Sequence, residues 1–275
     1  MSQDEVFLLI GSAAGVLFGV VPWYAPLRLP LAPRHVRYLT GPLALAPMVS
    51  VGLIYIALRT LAAYDVREAP EYLVLYALLG CCWFFGAVKA LEWVGISFAD
   101  DAVERHNAAA TIAVIAAMLA HSAIYAGANV GDGPGWWCVV IAASVGSLAW
   151  FLLWGAVEAA CGAAEELTVE RDTGAALRLG GYMIASGLVC ARGSAGDWTS
   201  LGQTLLEFHV AWPAVVLAAA AVAVERVLRG HPPTRRSRLA GASIGLAYLA
   251  AALLALQMAP PLPQNPAYDH AQSGQ

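Results

Sequence analysis

The chain reads Val103-Glu104-Arg105-His106-Asn107-Ala108-Ala109-Ala110 and, further along, Val169-Glu170-Arg171-Asp172-Thr173-Gly174-Ala175-Ala176. Each stretch carries a Glu-Arg pair that leads into a run rich in alanine and glycine. Only 12% of the residues are charged, so chance produces a match of charged pairs far less easily than a match of alanines. The recurrence therefore predicts repeated units, each built from a pair of apolar helices.

The composition predicts a membrane protein. Of the 275 residues, 60% are hydrophobic and 12% are charged, whereas soluble domains are about 45–50% apolar and about 25% charged. A helix needs roughly 20 mostly apolar residues to cross a bilayer. Eight segments meet this length, at about 6–24, 41–63, 70–95, 107–128, 136–160, 174–191, 205–226 and 239–258. We therefore predict an all-α, polytopic membrane protein with about eight transmembrane helices arranged as tandem helical hairpins.

The repeat spacing divides the chain into hairpins of similar length. We predict an N-terminal transmembrane hairpin at 1–66, two repeated hairpins at 67–131 and 132–200, a C-terminal hairpin at 201–258 and a disordered tail at 259–275, rich in proline and polar residues. All hairpins would share one orientation, which makes this a parallel repeat. The register of the third and fifth predicted helices stays open, because an ungapped match and a match with a short gap compete.

The arginines predict the orientation in the membrane. Cytoplasmic loops carry an excess of Lys and Arg. The loops between the first and second and between the seventh and eighth predicted helices hold the largest groups, which are Arg28, Arg34, Arg37, Arg229, Arg235, Arg236 and Arg238. These loops are therefore expected in the cytoplasm, and both termini outside it.

The repeated motif resembles a known family. An apolar helix, an acidic loop, a Glu-Arg step and an Ala/Gly-rich helix that ends near Gly196-Asp197-Trp198 are similar to the bacterial inner-membrane family called domain of unknown function 350. Residues 70–130 and 136–200 would be its two copies, and Thr173 stands where the family usually has Asn. The resemblance implies a multi-pass protein of the bacterial inner (plasma) membrane without an established activity. It also implies an accessory role, because members resemble proteins found beside envelope-stress and polyamine-related genes.

Four ionisable residues lie toward the predicted cytoplasmic ends of odd-numbered helices: Lys89, Glu92, Glu158 and Glu225. Ionisable groups inside a bilayer are costly and often functional. One interpretation is an intramembrane polar layer that binds a cation or a proton. The other is that the long side chains reach the interface, or that Lys89 pairs with Glu92 one helical turn away.

His121 lies near the centre of the fourth predicted helix. A histidine at this depth is either a proton relay or a neutral, hydrogen-bonded packing residue. Arg178, early in the sixth predicted helix, either holds an anion or pairs with Glu166 or Glu170.

The repeat motif also has a structural interpretation. Acidic residues favour helix N-termini, and Asn107 or Thr173 would cap the first turn. Arg105 and Arg171 would anchor at lipid headgroups. The residues of the motif are Glu104, Arg105, Asn107, Glu170, Arg171 and Asp172. In the predicted external loop, Asp197 is expected in a turn and Trp198 in an aromatic belt.

The sequence contains no recognised enzyme signature: no nucleophile elbow, Walker sequence or His-Glu-x-x-His motif is present. We predict no catalytic residues, metal or cofactor, and no nucleic-acid partner. The expected partners are the lipid bilayer and either further copies of the chain or other membrane proteins. Self-association would use Ala/Gly faces such as that of Gly241 and Gly245. The favoured function is a non-enzymatic scaffold or accessory protein linked to envelope processes, and the alternative is a small ion or proton conduit or transporter using the Lys89/Glu92/Glu158/Glu225 layer.

Overall fold

A computed structural model places most of the chain in long helices. The described residues are 1–27, 39–229 and 235–268. Arg28, Arg34 and Arg37, which support part of the orientation prediction, lie outside these ranges, as does the side chain of Arg235.

The described part of the chain is helical, with no β-strand. Its α-helices are α1 (Gln3–Leu27), α2 (Thr40–Thr60), α3 (Tyr64–Glu68), α4 (Pro70–Ala90), α5 (Ala108–Ala128), α6 (Trp136–Cys161), α7 (Ala163–Thr168), α8 (Thr173–Gly193), α9 (Leu201–Glu207), α10 (Pro213–Leu228) and α11 (Arg235–Met258). Seven of them are long and apolar enough to cross a membrane: α1, α2, α4, α5, α6, α8 and α11. These helices confirm the prediction of an all-α polytopic membrane protein.

The predicted span at 205–226 is a bent pair of helices. Residues Leu201–Ala211 and Pro213–Leu228 meet at an angle of 44°, and together they make an eighth candidate span. Proline lacks an N–H group and its ring clashes with the preceding turn, so a helix usually breaks just before it. Pro213 therefore begins α10 as its first residue instead of continuing the helix from α9.

The second helices of the predicted hairpins form a row in the order α2, α5, α8, α11, in which each helix packs on the next. In both α5 and α8, 78% of the residues in the apolar window are buried, against 39% or less in the other spans. Helices α4, α6 and α10 pack along this row, and α1 packs mainly on α4. Helices α5 and α8 therefore form the centre of the protein.

Glycines allow the backbones in this row to approach closely. A Cβ atom at Gly187 would collide with the backbone of Ala120 in α5, and one at Gly181 with the backbone of Gly245 in α11. A Cβ atom at Gly241 would collide with the backbone of Gly174. The face of Gly241 and Gly245 is therefore used inside the chain, and its predicted use for self-association is wrong.

Backbone features recur at the spacing that separates Asn107 from Asp172, which we call the cap spacing. Helices α5 and α8 both have 21 residues and follow these two residues as their N-caps. The residues before the caps, His106 and Arg171, have positive φ values of 50° and 57°. The Glu-Arg pairs match at a spacing one residue longer, so the two pairs do not occupy equivalent places in the structure.

Loops at one end of the row are joined by backbone contacts. Ala62 forms an isolated bridge with Gly131, and the Gly196 N–H donates to the Val130 carbonyl at 2.8 Å. The Asp197 N–H in turn donates to the carbonyl of Pro263 at 3.0 Å. The described part of the predicted disordered tail, up to Tyr268, is therefore bound to the rest of the protein, because Pro263 accepts a hydrogen bond from one of these loops.

Replacing Gly181 with Ala is expected to lower the free energy of unfolding by about 1–3 kcal/mol, because the new methyl group forces α8 away from α11. The matched control is Gly155→Ala, since nothing lies within 4 Å of a Cβ atom at that position in α6. The control is expected to be neutral or stabilising by up to about 1 kcal/mol. Thermal unfolding in detergent measures both variants, and equal effects would contradict the close approach.

Candidate functional site: a buried ion cluster

A guanidinium and a carboxylate bind each other in the interior of the bundle. Arg178 in α8 and Glu225 in α10 are 3% and 0% exposed. The Nε atom of Arg178 donates to Oε1 and Oε2 of Glu225 at 2.7 and 2.9 Å, and Nη2 donates to Oε2 at 2.6 Å. Short, charge-assisted bonds of this fork type are among the strongest hydrogen bonds in proteins. They join α8 to α10.

Two further carboxylates face the same guanidinium. Oε2 of Glu166 lies 3.6 Å from Nη2 of Arg178, and Oδ2 of Asp172 lies 3.9 Å from Nη1. Oε2 of Glu166 has no hydrogen-bond partner among the described residues. With every group ionised, one positive and three negative charges would meet here, so the ion cluster of Glu166, Asp172, Arg178 and Glu225 has excess negative charge.

The environment of Glu166 favours its protonated form. Burial raises the pKa of this carboxyl to about 7, the negative charge of Glu225 adds to the rise, and Arg178 opposes it. Glu166 lies in α7, between two membrane-spanning helices. This carboxyl is therefore set to exchange a proton near neutral pH.

Local turns place these side chains. Gly162 ends α6 in the left-handed conformation, with φ of 60°, and allows α7 to begin at once. The Ala164 N–H at the start of α7 donates to the carboxylate of Glu158. Asp172 caps α8 by accepting from the Gly174 N–H at 2.7 Å. The two turns bring Glu166 and Asp172 to the end of α8 that carries Arg178.

The corresponding place in the first repeat has a different chemistry. At the cap spacing, Asp101 corresponds to Glu166, and Asp101 binds Arg105 at 2.9 Å. Asn107 caps α5, and its Nδ2 donates to the Leu167 carbonyl at 2.7 Å. At the same spacing Arg178 corresponds to Ala113. The first unit therefore supplies a neutral link to α7, whereas only the second carries the ion cluster.

The four residues of the predicted polar layer do not come together in one cluster. Lys89 binds Glu92 at 2.7 Å, with 77% of the Lys89 side chain exposed. Glu158 accepts the hydrogen bond at the start of α7, and Glu225 binds Arg178. Glu225 is thus the one member of the predicted layer that belongs to the ion cluster.

The repeat motif divides into exposed and buried residues. Glu104, Arg105, Glu170 and Arg171 are exposed, whereas Asn107 and Asp172 are buried. Asn107 is a helix cap as predicted, accepting from the N–H groups of Ala109 and Ala110. The second cap is Asp172, and the prediction of Thr173 is wrong because the cap spacing is one residue shorter than the spacing of the Glu-Arg pairs.

Sequence reasoning did not select Glu166 as a site residue, although it considered a pair with Arg178. The available signal was the cap spacing, which aligns Glu166 with Asp101. In both loops the cap N–H donates to the carbonyl of this acidic residue, at 3.2 Å for Asn107 and at 3.0 Å for Asp172. The match of the Glu-Arg pairs is more obvious, but its spacing is one residue longer and does not align Asp101 with Glu166.

Asp197 and Trp198 lie at the opposite end of α8 from the ion cluster. Asp197 accepts from the Asp132 N–H at 2.8 Å and from the Asn265 N–H at 2.9 Å. Asp197 thus organises the turn in which it was predicted. The Trp198 ring packs edge-on against Trp137, with ring centroids 4.9 Å apart.

The helical fold and its apolar spans are those of an all-α integral membrane protein. Residues 58–193 match the family model described as Domain of Unknown Function (DUF350). Through this segment, about half of its length, the chain belongs to that family. No curated protein and no solved structure is found to match the chain.

Replacing Arg178 with Met is expected to destabilise the protein by about 3–5 kcal/mol, because Glu225 would stay buried without its cation. The double variant Arg178→Met/Glu225→Met removes both charges and is expected to recover most of this loss. Arg171→Met, at an exposed arginine, is the matched control. Thermal unfolding in detergent measures all three, and a double variant as unstable as the single one would contradict the pairing.

Glu166 is expected to make stability depend on pH. In the folded protein the pKa of the Glu166 carboxyl is about 7, whereas the ordinary pKa of a glutamate is 4.5. Between these values the folded state binds more protons than the unfolded state, so stability falls as pH rises and levels off above 7.

Glu166→Gln is expected to remove this fall and to stabilise the protein at pH 8 by about 3 kcal/mol, which is the free energy that corresponds to the pKa shift. Glu170→Gln, at an exposed neighbour, is the control. Unfolding measured from pH 5 to pH 8 decides the point. Parallel curves for the parent and Glu166→Gln would show that Glu166 is ionised throughout.

Proposed function

We propose that the protein is a non-enzymatic scaffold or accessory protein of the bacterial inner membrane, linked to envelope processes. The observation that carries this proposal is the internal pairing of the ionisable groups expected to line a conduit. Lys89 and Glu92 bind each other, Glu158 closes a turn, and Glu225 binds Arg178. Side chains paired in this way do not line a shared polar path.

The construction of the bundle supports this proposal. We propose that two duplicated units form its centre, since caps, left-handed residues and loops recur with one spacing in α5 and α8. Close glycine contacts fix the neighbouring helices over their length. A bundle packed in this way offers a rigid frame for partner proteins.

The two chain ends are proposed to lie outside the cytoplasm. Asp4 accepts a hydrogen bond from Trp136 at the start of α6, and Asn265 binds Asp197 in the loop that follows α8. These contacts are at the end of the bundle opposite the ion cluster. Arg105, Arg171 and Arg229 lie at the cluster end, which the arginine rule assigns to the cytoplasm.

Partners are proposed to be other membrane proteins or further copies of the chain, within the lipid bilayer. The glycine faces of α8 and α11 are occupied internally, so association would use the outward-facing side chains of the peripheral helices. Phe7 and Phe18 of α1 are examples, with exposures of 75% and 82%.

A specific observation favours a second candidate function, a proton-responsive protein or small proton conduit. Glu166 is buried, its pKa is raised to about 7, and one carboxylate oxygen lacks a hydrogen-bond partner among the described residues. In this candidate the proton site is the ion cluster and not the four-residue layer.

One measurement separates the two candidates. The purified protein in liposomes is expected to conduct no ions or protons above the level of protein-free vesicles, measured with a pH-sensitive dye under an imposed gradient. Glu158→Gln and Glu166→Gln are expected to behave like the parent. Proton flux in the parent that Glu166→Gln abolishes would instead establish the second candidate. Cross-linking in membranes, followed by recovery of the tagged chain, then identifies the partner of the scaffold.

A further inference from the structure

A pocket lies at the middle depth of the bundle, between α4, α5 and α6. Its volume is about 320 Å³. Its walls are largely apolar and include Trp83, Gly86 and Ala87 of α4 and Phe151 of α6. His121 of α5 and Ser147 of α6 add polar groups. The pocket is distinct from the ion cluster, which lies among α7, α8 and α10.

His121 lines this pocket and has an unsatisfied nitrogen. The residue is 0% exposed, and its Nδ1 lies 3.0 Å from the carbonyl of Ala117, one turn earlier in α5. Its Nε2 has no hydrogen-bond partner among the described residues. Water is scarce in a bilayer core, so a polar atom there is normally paired within the protein or with a ligand.

The contact with Ala117 fixes which hydrogen bond the ligand must make. A carbonyl only accepts, so Nδ1 of the neutral imidazole carries the proton and donates it. The free Nε2 atom then presents a lone pair and is an acceptor. A ligand that satisfies it must carry an O–H or N–H donor on an otherwise apolar body.

The surrounding aromatic rings limit which ligand shapes fit the pocket. The ring centroids of Phe151 and His121 lie 4.9 Å apart, and Trp83 also lines the pocket. Flat aromatic rings favour a flat aromatic head group between them. Gly86 is exposed, and a Cβ atom added to it would have no neighbour within 4 Å, which leaves the pocket open to the lipid-facing side of α4.

We propose that this pocket binds the hydroquinone head group of a membrane quinol, whose phenolic O–H donates to Nε2 of His121. The apolar tail leaves the pocket past Gly86 and stays in the bilayer. A phenol is a donor, whereas the carbonyl oxygens of the oxidised quinone only accept. The pocket therefore distinguishes the reduced from the oxidised form, and no electron transfer by the protein is required.

The test uses the full chain in lipid nanodiscs and two probes, decylubiquinol under anaerobic conditions and decylubiquinone. Calorimetric titration is expected to give a dissociation constant about tenfold lower for the quinol, the effect of one net hydrogen bond. With selective ¹⁵N labelling of histidine, the quinol is expected to shift the resonance of one unprotonated imidazole nitrogen, which is Nε2 of His121. Equal affinity for the two probes, or no saturable binding of either, would overturn the proposal.

Two variants locate the binding. His121→Phe keeps a ring but removes the acceptor, so it is expected to reduce the tenfold preference to about one. Gly86→Leu fills the mouth of the pocket from an exposed position, which avoids a folding defect, and is expected to abolish binding of both probes. Gly155→Leu, at an open glycine of α6 outside the pocket, is the control and is expected to bind like the parent. Unchanged quinol binding in Gly86→Leu would also overturn the proposal.

Discussion

The close approach of α5, α8 and α11 is the constraint on which the rest of the structure depends. In a bilayer, apolar side chains gain little by leaving lipid for protein, so helices associate through dense packing and hydrogen bonds. Gly181, Gly187 and Gly241 remove the side chains that would separate these backbones. Once the row is fixed, its helix ends are fixed too. The cap Asn107 then reaches α7, and the cap Asp172 lies beside Arg178.

The ion cluster follows from this packing. Arg178 would be expensive to bury alone, and three carboxylates would repel each other without it. The bidentate bond between Arg178 and Glu225 satisfies both groups at the contact of α8 with α10. Protonation of Glu166 relieves the excess negative charge, because the pKa of this carboxyl is raised to about 7. The pairing that stabilises the bundle and the raised pKa of Glu166 thus arise from one set of contacts.

Sequence patterns predicted the helices well and the site only in part. Long apolar runs determine spans in any bilayer, which is why the eight predicted segments correspond to observed helices, with a bend where Pro213 interrupts the seventh. The site depends on register, and a one-residue error exchanges buried and exposed positions. Matching Glu104 with Glu170 pointed to exposed residues, whereas the structural match of Asp101 with Glu166 leads to the buried carboxylate. The partner of Arg178 lies 47 residues away on another helix, and no local pattern encodes that distance.

The two central units make different side-chain contacts, although their backbone conformations are similar. Asn107 links the first unit to α7 through a neutral amide, and Ala113 occupies the place of Arg178. The same comparison places His121 of the first unit opposite Ser186 of the second, whose hydroxyl donates to the carbonyl of Tyr182 in its own helix. His121 bonds back to its own helix in the same way but has a second nitrogen left over. A second polar atom is unnecessary for helix packing, since serine at the matching place packs without one. The additional nitrogen of His121, a residue that lines an apolar pocket, is the group that the proposed quinol would bind.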